Sequence, residues 1–171
     1  MNITICSVPT EEYGEKLTRK RSDGQFIIMP KIAVTSLNQW AKKHGFNNSK
    51  FYDIDMLYPD DEDIEKYFRE TQPDIVGLSA VVSTCYVQVK RIASIIKKVN
   101  KKTFIVCGGY LTAASNIVLR KTNVDVCVVG NGEIAWVGLL NYYKEYLESG
   151  GNKLDIDKLL KVKGIAVLDD D

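Results

Sequence analysis

The chain has 171 residues, of which 26% are charged, and a formal net charge of +1. That length suits one domain able to bury about 70% of its unfolded surface without a metal or disulfide staple. The charge balance gives no support to nucleic-acid binding, which needs a basic excess, and no apolar run approaches the span of a bilayer.

Residues 1–5 (MNITI) lack the basic-then-apolar form of a secretory leader. Residues 2–8 (NITICSV) are β-rich and read as the first strand. Residues 9–26 are polar, contain Gly14 and Gly24, and read as a long loop, a length that is often functional. The basic cluster in that loop, Lys16, Arg19, Lys20 and Arg21, suits plain solvation or contact with an anionic ligand or a partner domain. Pro30 then opens a helix that runs to His44, with Ile32, Ala33, Leu37, Trp40 and Ala41 as its apolar face. Gly45 after two lysines and a histidine is a stop signal. Residues 50–56 (KFYDIDM) read as the second strand. Pro59 and the acidic residues Asp60, Asp61, Glu62 and Asp63 start the next helix, which buries Ile64, Tyr67 and Phe68.

Three dense apolar runs follow: residues 74–83 (DIVGLSAVVS), 104–114 (FIVCGGYLTAA) and 124–133 (VDVCVVGNGE). Each breaks at its C-terminal end into small or polar residues. Runs of this kind read as strands buried on both faces, as in parallel sheets. Between the first two lies a helix over residues 86–100, with Val89, Ile92, Ala93, Ile96 and Val99 inward. Ser115 reads as the N-cap of a short helix to Arg120, and residues 134–148 as the last long helix. After Ser149, Gly150, Gly151 and Asn152, residues 163–168 (KGIAVL) suggest an extra strand at the sheet edge.

This alternation specifies an α/β fold. The expected architecture is a doubly wound, mostly parallel five-stranded sheet of flavodoxin-like or Rossmann-like type, in order 2-1-3-4-5, with the edge strand added. Such sheets bind ligands beyond the carboxyl ends of their strands. Here that edge would be made of Ser79, Ser83, Thr84, Gly108, Gly109, Thr112, Gly130 and Gly132. So little side-chain bulk suits a large ligand that approaches the backbone closely.

Several chemistries fail on the residues. Gly130, Gly132 and Ala135 match a G-x-G-x-x-A dinucleotide fingerprint, but in the fifth β-α unit and with no acid about twenty residues on. A phosphoreceiver site would need an acidic pair after the first strand, where this chain has Ser7, Val8 and Pro9. His44 is the only histidine and sits at a helix end, as a cap would. No G-x-S-x-G elbow is present. The four cysteines, Cys6, Cys85, Cys107 and Cys127, form no C-x-x-C pair and read as reduced core thiols of a cytoplasmic protein. The chain reads as a binding platform and shows no catalytic constellation.

The crests in this order and spacing resemble the cobalamin-binding domain found ahead of many cobalamin-dependent radical SAM enzymes. The carriers are residues 74–79 (DIVGLS), the Gly108-Gly109 pair, and the Gly130-Asn131-Gly132-Glu133 turn. The proline-led first helix ending in His44-Gly45, and Asp53 and Asp55, also fit. The resemblance implies a corrin ring over the carboxyl edge and a nucleotide tail threaded down between the strands. Ser79, Ser83 and Thr84 would hydrogen-bond the tail, Gly108 and Gly109 would leave room for it, Gly130, Gly132 and Glu133 would line its far side, and Val81 would also belong to the cofactor-binding residues. Tyr110 and Leu111 would pack against the ligand, and the loop over residues 9–26 would face the corrin.

Two departures from related patterns shape the expectation. Methionine-synthase-type domains carry D-x-H-x-x-G after the first strand, and this chain has no histidine there. Cobalamin would therefore bind base-off without a protein histidine ligand. The C-x-x-x-C-x-x-C motif that holds the [4Fe–4S] cluster of the radical SAM half is also absent. Residues 1–150 are expected to form the cobalamin-binding domain, and residues 151–171 a linking segment or edge strand toward a radical SAM domain outside this sequence. The cluster and S-adenosylmethionine would belong to that domain, so this chain alone should not cleave S-adenosylmethionine. The expected partners are a corrinoid and the radical SAM domain of the parent chain, most simply a methyltransferase, with neither nucleic acid nor membrane. The competing expectation is an interaction or regulatory domain that keeps the fold without the ligand.

Overall fold

The structure, a computed structural model, describes residues 1–10, 31–151 and 154–168. Residues 11–26 of the long polar loop, with its basic cluster, and Pro30 lie outside those residues. The sheet has six strands in the order β2-β1-β3-β4-β5-β6. They are β1 (Ile3–Ser7), β2 (Ser49–Asp53), β3 (Ile75–Ser79), β4 (Phe104–Gly108), β5 (Val126–Val128) and β6 (Ile165–Ala166). The first five run parallel, and β6 pairs antiparallel with β5. The expected doubly wound order is the observed one, with its reversal between β1 and β3.

The helices divide between the two faces. Helices α1 (Ile32–Lys43) and α6 (Gly132–Glu148) pack together on one face. Helices α3 (Asp61–Thr71), α4 (Tyr86–Val99) and α5 (Ser115–Lys121) cover the other. The period-2 geometry of strands sends alternate residues to the two layers. Cys6, Val76, Leu78, Ile105, Cys107 and Cys127 pack toward α3–α5 with Phe68, Ile92 and Ile96. Ile3, Ile5, Ile75, Phe104, Val106, Val126 and Val128 pack toward α1 and α6 with Trp136, Leu139 and Leu140. All four cysteines are free and buried. The aromatic residues of α6 belong to this core: Tyr143 stacks on Phe104 with ring centroids 4.8 Å apart, and its hydroxyl donates to Lys102 O at 2.9 Å.

Four details depart from the expectation. The inward face of α1 carries Val34, Leu37 and Ala41, while Ile32 and Ala33 are exposed in its first turn. The second strand stops at Asp53, whose carboxylate accepts from Met56 N at 3.1 Å and starts a helical turn, α2 (Ile54–Leu57). Ser115 is the first helical residue of α5 and Ala114 holds the cap position without a side-chain bond, because a 3₁₀ turn (Tyr110–Ala114) leads into the helix. Helix α6 begins at Gly132, two residues before the expected start. Beyond α6, the short α7 (Ile156–Leu159) precedes β6, and Val162 packs against Gly138 so closely that a Cβ there would lie 2.9 Å from Cγ1. No helix among the described residues is long and apolar enough to cross a membrane.

Candidate functional site

The carboxyl edge is tied together by the backbone. Val8 N donates to Ser79 O at 3.1 Å, Ala80 N to Gly108 O at 2.8 Å, and Leu111 N to Ala80 O at 3.2 Å. The buried Thr112 hydroxyl shares its proton between Gly109 O at 2.7 Å and Val128 O at 2.8 Å, joining the β4 crest to the end of β5. These bonds explain Gly109. Its φ is +97°, and a Cβ there would sit 2.3 Å from Ala80 O. The glycine is required by the close passage of two crests, whatever ligand lies above.

Between this edge and helices α1 and α6 lies a cleft of about 160 Å³, open to solvent. The strands contribute Ile5, Gly77, Val106 and Val128 to its walls. The crests add Ser79, Val81, Gly108, Gly109 and Gly130, and the helices Ala33, Leu37, Gly132, Glu133 and Trp136. Space is left where side chains are missing. A Cβ on Gly108 would meet only Val128 Cβ, at 3.9 Å, and one on Gly130 nothing within 4 Å. Gly132 faces Leu37 Cδ2, which a Cβ would approach to 3.3 Å.

The inner end of the cleft is made by Trp136, which is 3% exposed. Its ring rests on Gly77, where a Cβ would lie 3.1 Å from Cη2 and 3.3 Å from Cζ3. A glycine inside a buried strand signals such a close approach. Trp136 Nε1 is shielded and has no hydrogen-bond partner among the described residues. Among the described residues Glu133 is the only charged side chain lining the cleft, and Ser36 Oγ donates to its Oε1 at 3.4 Å.

Of the residues expected from sequence, Ser79, Val81, Gly108, Gly109, Gly130, Gly132 and Glu133 meet in this cleft. Ser83 and Thr84 lie beyond it, exposed in a 3₁₀ turn (Ser83–Cys85) that leads into α4. Tyr110 stands on the rim with 84% of its surface exposed. Leu111 turns the other way, 4% exposed, into the core beneath α3–α5. The rim also exposes Ile32, Val81, Val82, Val129 and Ile134, an apolar border of the kind that marks binding surfaces. Sequence reasoning missed Ile5, Gly77, Ala33, Leu37 and Trp136 as cleft residues. Gly77 was the available signal.

A second polar cluster closes the edge at β1 and β2. Ser7 Oγ donates to Asp53 Oδ1 at 2.5 Å, Asp55 N donates to Ser7 Oγ at 3.1 Å, and Lys31 pairs with the buried Asp55. Burial pushes the Cys127 thiol up to about 12, and the Cys6 and Cys107 thiols higher still. These groups are therefore thiols, poor nucleophiles and poor metal ligands, near neutral pH. No group of three or more potential metal ligands occurs among the described residues. His44 ends α1 with Nδ1 2.8 Å from Trp40 O, at the opposite end of the sheet from the cleft.

A cleft at the switch point of a parallel sheet, floored by glycines and rimmed with apolar side chains, defines a doubly wound binding domain for a large ligand. Comparison with known proteins gives its family. The model of the B12 binding domain matches residues 27–140, well over half of the chain, and the chain belongs to that family. It is 30% identical over 143 residues to an anaerobic magnesium-protoporphyrin IX monomethyl ester cyclase of Cereibacter sphaeroides, covering 83% of this chain and 22% of that protein. It is 33% identical over 81 residues to an uncharacterized methyltransferase of Pyrococcus horikoshii, covering 46% of this chain and 17% of the relative. The chain thus spans about a fifth of the length of these relatives. Its fold is that of part of the radical S-adenosylmethionine methyltransferase TsrM from Kitasatospora setae. The structure of that enzyme with cobalamin and a [4Fe–4S] cluster matches with a TM-score of 0.71 at 15% identity, covering 99% of this chain and 30% of that one. The structure with tryptophan substrate and a SAM analogue matches with a TM-score of 0.72 at 14% identity, covering 99% and 29%.

Proposed function

We propose that this B12-binding domain is the cobalamin-carrying module of a radical SAM methyltransferase and holds its corrinoid base-off, with no histidine of this chain on cobalt. The observation that carries the reading is the glycine-floored cleft at the carboxyl edge, where Gly108, Gly130 and Gly132 leave space. A threaded nucleotide tail needs missing side chains, and its buried polar atoms need partners. The residues present fit that group. Ser79 and the crest amides offer hydrogen bonds near the cleft mouth. Gly108, Gly130 and Gly132 leave width for the tail, Val81 and Gly109 flank it, and Glu133 borders its far side. Ser83, Thr84 and Tyr110 meet the periphery of the ring, while Leu111 supports the crest from below. When bound, the corrinoid supplies a cobalt centre able to carry a methyl group. The chain's own part is to orient it, to exclude water with the apolar rim, and to keep the nucleotide base away from the metal.

The sole histidine lies at the far end of α1, too remote from the carboxyl edge to reach a cobalt held there. Electron paramagnetic resonance of the chain loaded with cob(II)alamin tests the base-off state. The expected spectrum lacks nitrogen hyperfine structure; a resolved nitrogen splitting contradicts the reading. In the parent chain, transfer of a labelled methyl group from S-adenosylmethionine to product, lost in Gly108→Leu, tests the methyltransferase assignment.

A further inference from the structure

Strands β4 and β5 part where the cleft begins. Their parallel register joins Val106 to Val126 and Cys107 to Cys127 and goes no further. Asp125 N donates to Ile105 O at 2.9 Å, and a parallel ladder repeats every two residues. Continued, it would send Val129 N to Gly109 O. Both groups have other partners. Val129 N donates at 2.8 Å to Gly164 O, in the turn before β6, and Gly109 O accepts from Thr112 N at 3.0 Å. The β4 crest is also drawn toward β3, since Ala80 N donates to Gly108 O at 2.8 Å. The two crests are thus held by opposite neighbours, and both Gly108 and Gly130 line the opening between them. The Thr112 side chain spans this parting. It is 3% exposed and does not itself line the cleft. Its hydroxyl meets Gly109 O at 2.7 Å on one side and Val128 O at 2.8 Å on the other.

On the reading of the cleft given above, we infer that Thr112 is a positioning residue for the corrinoid. Its hydroxyl fixes the separation of the β4 and β5 crests, and with it the width of the cleft floor between Gly108 and Gly130. It acts through the backbone carbonyls on both sides of the gap. A buried carbonyl that loses its donor is costly to leave unpaired. Without the hydroxyl, Val128 O and the crest behind it therefore settle toward other partners, and the floor loses the width that the ligand needs. Filling the core asks only for bulk at this position, whereas holding the gap asks for a hydroxyl.

The test is a titration of the 171-residue chain with hydroxocobalamin, beside Thr112→Val, Thr112→Ala and Thr112→Ser, with circular dichroism on the same samples. Thr112→Val keeps the shape and loses the hydroxyl. Thr112→Ala and Thr112→Ser both lose the methyl group, and only Thr112→Ser keeps the hydroxyl. Packing alone would put Thr112→Val nearest the wild type and group Thr112→Ser with Thr112→Ala. The inference puts Thr112→Ser nearest and groups Thr112→Val with Thr112→Ala. Thr112→Val and Thr112→Ala should bind about tenfold more weakly than the wild type, and Thr112→Ser within about twofold of it. Wild-type affinity in a folded Thr112→Val overturns the inference, as does a Thr112→Ser protein as weak as Thr112→Ala. Should neither Thr112→Val nor Thr112→Ala fold, the hydroxyl holds the fold and not the gap, and the inference is overturned as well. Failure of the wild type to bind hydroxocobalamin defeats the reading of the cleft itself, a different result from indifference to the hydroxyl.

Discussion

The two faces of the sheet are built from alternate residues of the same strands, yet they end differently at the carboxyl edge. Toward α3–α5, Leu78 and Cys107 are covered by Leu111, Cys85 and Val89, and the layer is filled to the crest. Toward α1 and α6, the neighbouring positions are Gly77 and Gly108, and the layer stops short. A filled layer gains from every methylene it buries. A layer that stops short gives up that gain and keeps a space shaped by what is missing. The comparison separates two kinds of residue: those of the closed face, which hold the fold, and those of the open face, which hold the ligand.

Alkaline pH should strike the closed face hardest. Cys6, Cys85, Cys107 and Cys127 all lie there, and burial raises each thiol above its ordinary value. A raised folded-state value means that the contribution to stability is complete below the unfolded value of about 8.5 and is lost as pH rises past it. For Cys6, Cys107 and Cys127 the loss should reach about 2 kcal/mol per thiol by pH 10 and continue toward the Cys127 value near 12. Urea midpoints flat to about pH 8.5 and falling beyond it are expected; midpoints level to pH 10.5 would contradict the dry thiol layer.

Phe68→Ala should come next. Phe68 is 1% exposed and meets Tyr52 and Tyr67 edge-on, with centroids 6.2 and 5.3 Å away. Its removal should cost about 3–5 kcal/mol in denaturant unfolding. Corrinoid affinity of the protein that remains folded should stay at the wild-type value, since the side chain lies on the closed face.

The two adjacent glycines sharpen the contrast further. Gly109→Ala should destabilise by about 2–3 kcal/mol, from positive φ and a Cβ against Ala80 O. Gly108→Leu should stay within about 1 kcal/mol of wild type, because its Cβ meets only Val128. Its side chain fills the cleft instead, and corrinoid affinity should drop at least about tenfold. Thermal melts and titrations on the same samples separate the two. A Gly108→Leu protein that unfolds like Gly109→Ala would erase the distinction between a glycine for folding and a glycine for binding.

Much of this was legible in the sequence. The dense runs containing Ile75–Ser79, Phe104–Gly108 and Val126–Val128 could only be strands covered on both sides, and their small-residue endings placed the site edge. The phase of α1 was not legible. Ile32 and Ala33 look like core by periodicity, but they stand where the helix overhangs the cleft mouth, and only the tertiary arrangement tells core from rim. Residues 54–56 continue an apparent strand, and the Asp53 cap diverts them into a helical turn. Trp136 was not legible as a cleft residue. Its partner position, Gly77, is 59 residues away in sequence and is joined to it only by packing. Gly109 carried the right importance for a reason that sequence does not contain, the passage of Ala80 O beside it.

The central claim is that the open face holds a corrinoid by its threaded tail. The most direct measurement is a titration of the chain with hydroxocobalamin and methylcobalamin, followed by visible absorption, beside Gly108→Leu. The account predicts a saturable shift toward a base-off spectrum at micromolar protein, absent in the variant although its melting curve is preserved. No shift in the wild type, or the same shift in both proteins, would contradict it.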